Sequence, residues 1–168
     1  MLMLRGAWLA LRSLFWAIVL PGVVAGYLPW RFFGLRSVVV DLRAPSHWSG
    51  LVLISVGVVL LAGCIFEFAW TGSGTLAPLD PPRILVVRGL YRYVRNPMYL
   101  SVTLIIFGEA LLAGSRALLI YWAIWFLAAN LFVIGYEEPT LRRRFGGSYD
   151  VYTQQVRRWL PRIRPAKI

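Results

Sequence analysis

The sequence predicts an all-α fold: a polytopic membrane helical bundle of about four transmembrane helices with an amphipathic C-terminal helix. Three observations predict it. Of 168 residues, 59% are hydrophobic and the mean hydropathy is +0.66, above the ~45–50% apolar share of soluble domains. Ser13–Trp30, Ala44–Phe66 and Ala117–Tyr136 carry no Asp, Glu, Lys or Arg, and Asn96–Ser115 carries only Glu109. A helix needs ~20 mostly apolar residues to span a bilayer, so these runs exclude a soluble enzyme, a disordered chain and a secreted disulfide scaffold. In the tail, Leu141, Phe145, Tyr149, Tyr152, Val156 and Trp159 recur at the spacing of one helix face. Residues 1–168 read as a single membrane-embedded domain.

The first span follows Arg5 and Arg12, and Pro21 predicts a kink in it. Met1–Ala25 also has the layout of a signal peptide, with basic residues, an apolar stretch and small residues near Ala25–Gly26. Cleavage would leave three spans and undo the charge asymmetry described below, so a retained span is favoured. The second span contains Cys64 and follows His47, the lone cysteine and histidine. Together they build neither a disulfide nor a metal cluster. Pro97 opens the third span at a first-turn position, where its missing N–H costs nothing. Only Gly114–Ser115–Arg116 separates spans three and four, which predicts a tight antiparallel hairpin. Trp30, Trp48, Trp70, Tyr91, Tyr93 and Tyr136 stand near run ends, as an aromatic belt does. The tail's arginines fall off its apolar face, which predicts a helix lying among headgroups, with Gly146–Gly147 as a bend.

The formal net charge is +11, from 18 Lys and Arg against 7 Asp and Glu. Under a four-span arrangement, 14 of the 18 basic residues fall on the side of the two termini and of the connection over residues 71–95. That asymmetry places an integral membrane protein with both termini in the cytoplasm. The same distribution explains the charge by topology and anionic membrane lipids, so nucleic acid is not an expected partner.

Three constellations carry candidate chemistry. Gly72-Ser73-Gly74-Thr75 follows span two, and Gly72 and Gly74 would let a ligand approach the backbone closely. No strand precedes them, which excludes a dinucleotide fold; a flexible turn is the plainer reading. Gly89 to Tyr99, read GLYRYVRNPMY, sets Arg92, Arg95, Asn96 and three phenols at the mouth of span three. Such groups hold a carboxylate or phosphate, or else anchor the chain at headgroups. Glu137-Glu138-Pro139 closes span four. Adjacent carboxylates there suit ribose hydroxyls, an ammonium or a sulfonium, or else end the helix with ion pairs to Arg142 or Arg144. Within the spans, Glu67 lies near the cytoplasmic end of span two and is a functional candidate, whereas Glu109 reads as a structural group. Asn130 reads as an interhelical hydrogen-bonding residue.

Taken together, TGSGTLAPLDPPRILVVRGLYRYVRNPMYL and EEPTLRRRFGGSYDVYTQQVRRWLPRI resemble the isoprenylcysteine carboxyl methyltransferase and phospholipid methyltransferase group of integral membrane enzymes. The resemblance covers about residues 70–161. It implies S-adenosylmethionine as cofactor, held at the cytoplasmic side, and a lipophilic small-molecule or lipid-anchored acceptor that arrives from the membrane. Gly72 and Gly74 match the family's glycine element, and Arg95, Asn96, Pro97 and Tyr99 match its Arg-His-Pro-x-Tyr motif. Glu137 and Glu138 match its paired acids, and Phe145, Gly146, Tyr149 and Tyr152 match its tail pattern. The implied cofactor-binding set is Gly72, Gly74, Tyr91, Arg95, Asn96, Pro97, Tyr99, Glu137 and Glu138, with Arg95 and Glu67 as the catalytic candidates and no metal. Two departures stand out. Asn96 replaces the histidine of the carboxyl methyltransferase branch, and Leu90 replaces a frequent proline. An asparagine hydrogen-bonds a carboxylate but moves no proton near neutral pH.

Two rival readings remain at the level of sequence. One is a nicotinamide-dependent membrane reductase resembling the sterol reductases, its phosphates held by Arg83–Arg95. The paired acids would repel such phosphates. The other is a non-catalytic membrane subunit whose basic tail recruits partners or anionic lipid. The methyl acceptor and the oligomeric state are left open by the sequence.

Overall fold

The computed structural model describes residues 19–71 and 85–167. All regular structure among them is helical, without a strand. Helix α1 covers residues 19–32, α2 Pro45–Thr71, α3 Pro97–Ala113, α4 Arg116–Phe145 and α5 Gly147–Gln155. Helix α2 over Pro45–Glu67 and helix α4 are each long and apolar enough to cross a membrane. The 17 residues of α3 reach about 26 Å at ~1.5 Å per residue, a little short of the ~30 Å hydrocarbon layer. The chain divides into two compact units. Arg5, Arg12, Gly72, Gly74 and Arg83 lie outside the described residues.

One unit comprises Val19–Leu61 and Met98–Asn130. Its α2 and α3 meet through small residues. A Cβ on Gly50 would stand 2.7 Å from the Gly108 carbonyl oxygen, and one on Gly108 would stand 2.7 Å from that of Gly50. Seven residues along, a Cβ on Gly57 would stand 2.8 Å from the Ser101 carbonyl oxygen, and Ser101 is fully buried. In lipid the hydrophobic effect does not press helices together, so backbone approach of this kind supplies the packing. Ala25, Val102, Ile105 and Ile106 form a buried core, with Trp122 and Trp125 packed against it. Val59 and Ile124 point outward at 70% and 61% exposure, as lipid-facing residues do. The hairpin between α3 and α4 turns at Gly114, whose φ of +56° is left-handed. Ser115 then caps α4 by accepting the Leu118 N–H on its hydroxyl.

The irregularity predicted at Pro21 takes the form of a wider π segment, Val23–Tyr27. The Val24 carbonyl there accepts the Tyr121 hydroxyl at 2.8 Å, so a side chain from α4 holds the bulge.

The other unit contains residues 62–97 and the chain from Leu131 onward. Here the tail bends where Gly146–Gly147 predict it, but it departs from the headgroup helix that its periodicity predicts. Gly146 adopts φ +51°, ψ −129° and breaks the helix between α4 and α5. Helix α5 ends at Gln155, and Val156 is extended. The predicted face is real, but protein covers it. Tyr149, Tyr152, Val156 and Ala166 are buried, and Leu85, Val87, Leu141 and Phe145 pack on them. Beyond α5 the chain returns along residues 92–95. Arg95 N–H donates to the Arg157 carbonyl, Arg162 N–H to that of Tyr93, and Ala166 N–H to that of Arg92. The Arg92 Nε closes this strap on the Ala166 carbonyl at 2.8 Å.

Candidate functional site

The segment between Leu85 and Asn96 is held by a single 3₁₀ turn, Gly89–Arg92, and by the strap. Its end places Arg95 beside Glu138, with Nη1 3.1 Å from Oε1. Arg158 grips the same carboxylate in a bidentate pair, Nε to Oε1 at 2.6 Å and Nη2 to Oε2 at 2.8 Å. Two parallel N–H···O bonds on one carboxylate form the strong geometry of the guanidinium fork. Glu138 is buried, so the network sits largely out of water. Of the arginines that the plainer sequence reading offered as partners, Arg142 pairs with Asp150 at 2.8 Å. Arg158 is a residue that the sequence reading did not single out. It stands twenty positions from Glu138, and no spacing rule joins them.

The Arg95 Nε is buried with no acceptor. Asn96 is buried and donates its Nδ2 to the Arg158 carbonyl at 3.3 Å, so the asparagine helps fasten the strap. Pro97 is buried at the first turn of α3.

A second cluster surrounds Tyr91. Burial raises its phenol well above the ordinary range, and the charges of Cys64, Glu137, Tyr152 and Glu67 push the same way. Tyr91 is therefore a fixed proton donor near neutral pH. The Tyr152 hydroxyl donates to the Tyr91 carbonyl at 2.7 Å and locks the backbone there. Burial holds the Tyr152 phenol up as well. Glu137 lies in the π segment Val133–Glu137 of α4. The extra residue in that turn re-aims side chains where helix meets tail. The Glu67 carboxylate fills the space over Gly89, with Oε1 only 1.4 Å from where a Cβ would stand. Gly89 also has φ +46°, the left-handed region that favours glycine, whereas the Glu67 carboxylate ends a flexible side chain.

One unit thus brings together Glu67, Tyr91, Arg95, Asn96, Pro97, Glu137 and Glu138 of the sequence-derived set. Tyr99 belongs to the other unit, where its ring centroid lies 6.5 Å from that of Trp125. Gly72 and Gly74 fall outside the described residues.

Two comparisons bear on this arrangement. The family model described as phospholipid methyltransferase matches residues 45–148, more than half of the chain. The match spans Glu67, the Tyr91–Tyr99 segment and the paired acids, and it stops short of Arg158. An uncharacterized protein of Haemophilus influenzae is 41% identical over 63 residues, which is 38% of this chain and 100% of that protein.

Proposed function

Because this chain belongs to the phospholipid methyltransferase family of membrane methyltransferases, we propose that it uses S-adenosylmethionine to methylate a lipophilic or lipid-anchored acceptor at the cytoplasmic membrane face. The observation that carries this reading is Arg95, fixed by Glu138 and by its backbone bond to Arg157 yet left with a buried Nε that has no acceptor. A buried donor without a partner is costly, and a carboxylate oxygen of cofactor or acceptor would satisfy it.

The other residues divide the work. Tyr91 donates a hydrogen bond from a phenol that stays protonated. Glu137 faces the sulfonium or ribose hydroxyls. Gly72 and Gly74 let the cofactor approach the backbone. Asn96 and Pro97 set the start of α3 and, through the strap, the position of Arg158. Glu67 is the group able to take a proton from an amine acceptor, whereas a carboxylate acceptor needs no base. When bound, the cofactor would supply an electrophilic methyl group that passes from sulfur to the acceptor; positive charge would leave sulfur, so residues that exclude water would favour the transfer and alignment would supply much of its rate. Four spans with cytoplasmic termini complete the reading, on the charge asymmetry of the sequence.

Calorimetry on the full chain in detergent tests it. S-adenosylmethionine should bind, NADPH should not, and Glu137→Gln should weaken cofactor binding by about 1–3 kcal/mol, as loss of a charged hydrogen bond does. Binding of NADPH without S-adenosylmethionine would overturn the proposal.

A further inference from the structure

We infer that the strap over residues 157–166 docks on an anionic lipid surface, inserting Leu160 and Ile163 among headgroups while its cations engage phosphates. This goes beyond the methyl-transfer reading and rests only on the chain's membrane location.

The strap is pinned from behind and bare in front. Backbone bonds at Arg157, Arg162 and Ala166 tie it to residues 92–95, and Ala166 is buried. Between those pins Leu160 is 64% and Ile163 99% exposed. Arg157, Arg162, Arg164 and Lys167 around them are exposed too, and the chain from Val156 to the end contains no acidic residue. The Arg162 guanidinium folds back to the Gln155 carbonyl, which leaves Arg157, Arg164 and Lys167 as the outward cations. Pro161 and Pro165 stiffen the stretch, so its apolar tips cannot easily turn inward.

Apolar tips set among cations suit the boundary of an anionic leaflet, which takes up both. Residues 92–95, to which the strap is pinned, directly precede the apolar run Asn96–Ser115 in the sequence. The face of α5 that the sequence assigned to headgroups is filled by Leu85 and Val87, which leaves the strap to make that contact. The strap also supplies Arg158, so the docking surface and the Glu138 network share one piece of backbone.

Ile163→Cys carrying an environment-sensitive dye tests the inference. Cys64 is fully buried, and Ile163 touches nothing that its replacement would unfold. The labelled full chain is placed in nanodiscs of phosphatidylcholine alone or mixed with phosphatidylglycerol. The expected result is a blue-shifted emission, quenched by nitroxide-bearing lipid, that is stronger in the mixed discs and diminished by high salt. Arg157→Gln, Arg164→Gln and Lys167→Gln combined should abolish the difference between discs. Emission equal to that of the dye on free cysteine in buffer would overturn the inference. So would a blue shift without nitroxide quenching, which marks a protein partner, or equal quenching in both discs. None of these readouts depends on methyl transfer.

Discussion

Glu138 holds two guanidinium groups at once, so its replacement changes structure as well as chemistry. Glu138→Gln leaves Arg95 and Arg158 facing each other across a neutral amide. Removing one partner of a buried ion pair costs about 3–5 kcal/mol, and partial exposure of Arg158 reduces that here. Glu138→Gln should therefore lower the thermal midpoint as well as cofactor affinity, whereas Glu137→Gln should act mainly on affinity; thermal unfolding beside calorimetry separates the two. Arg95→Lys keeps the charge but loses the planar fork that reaches Glu138 with Nη1 while holding a buried Nε donor free. It should lose most methyl-transfer activity, while Arg143→Lys should be nearly silent, because Arg143 is exposed and bonds the neighbouring Thr140 hydroxyl. Equal activity of the two variants in one assay would reduce Arg95 to an anchor. The sequence marked Arg95 and the paired acids as candidates, and the structure joins Arg95 and Glu138 in one ion pair. Arg158 was not legible there, because its role exists only once the tail has folded back.

At the scale of the element, the glycine pairs of α2 and α3 make the sharpest demand. Gly50 and Gly57 lie seven residues apart, as do Ser101 and Gly108, so both pairs repeat on one helix face. The spacing was present in the sequence, but apolar runs hide their seams, since lipid and protein faces carry the same residue types. Gly108→Ala puts a methyl group 2.7 Å from backbone oxygen, which cannot step aside as a flexible side chain would. It should destabilise by about 1–3 kcal/mol, the usual cost of overpacking. Gly22→Ala is the control, with nothing within 4 Å of its new Cβ, and should be neutral or slightly stabilising. Thermal unfolding of both in the same detergent checks the contrast. The tail gives the complementary case. Its period of Leu141, Phe145, Tyr149, Tyr152 and Val156 was legible, but a period reports a buried face without naming what buries it. Leu85 and Val87, too short a stretch to show a pattern, turned out to be the cover.

For the whole molecule, charge and hydropathy reach furthest, because topology depends on where cations fall rather than on any contact. The all-helical membrane class was legible from composition and run length alone. How many of the runs cross the bilayer was less so: Asn96–Ser115 is long enough as a sequence, yet the helix within it has 17 residues. Local thinning of the bilayer and snorkelling of flanking residues accommodate such a shortfall at modest cost, so four spans remain compatible with it. The four-span arrangement puts Gln154 on the same side as residue 73 and Val39 on the opposite side. Val39 is 84% exposed and Gln154 is exposed on α5, so a cysteine at either position is open to reagent, and buried Cys64 contributes little background. In sealed right-side-out vesicles an impermeant maleimide should label Val39→Cys at once and Gln154→Cys only after permeabilisation. Ser73→Cys should follow Gln154→Cys. Prompt labelling of both Val39→Cys and Gln154→Cys would mean an even number of crossings between them, and the cytoplasmic placement of the tail would fall with it.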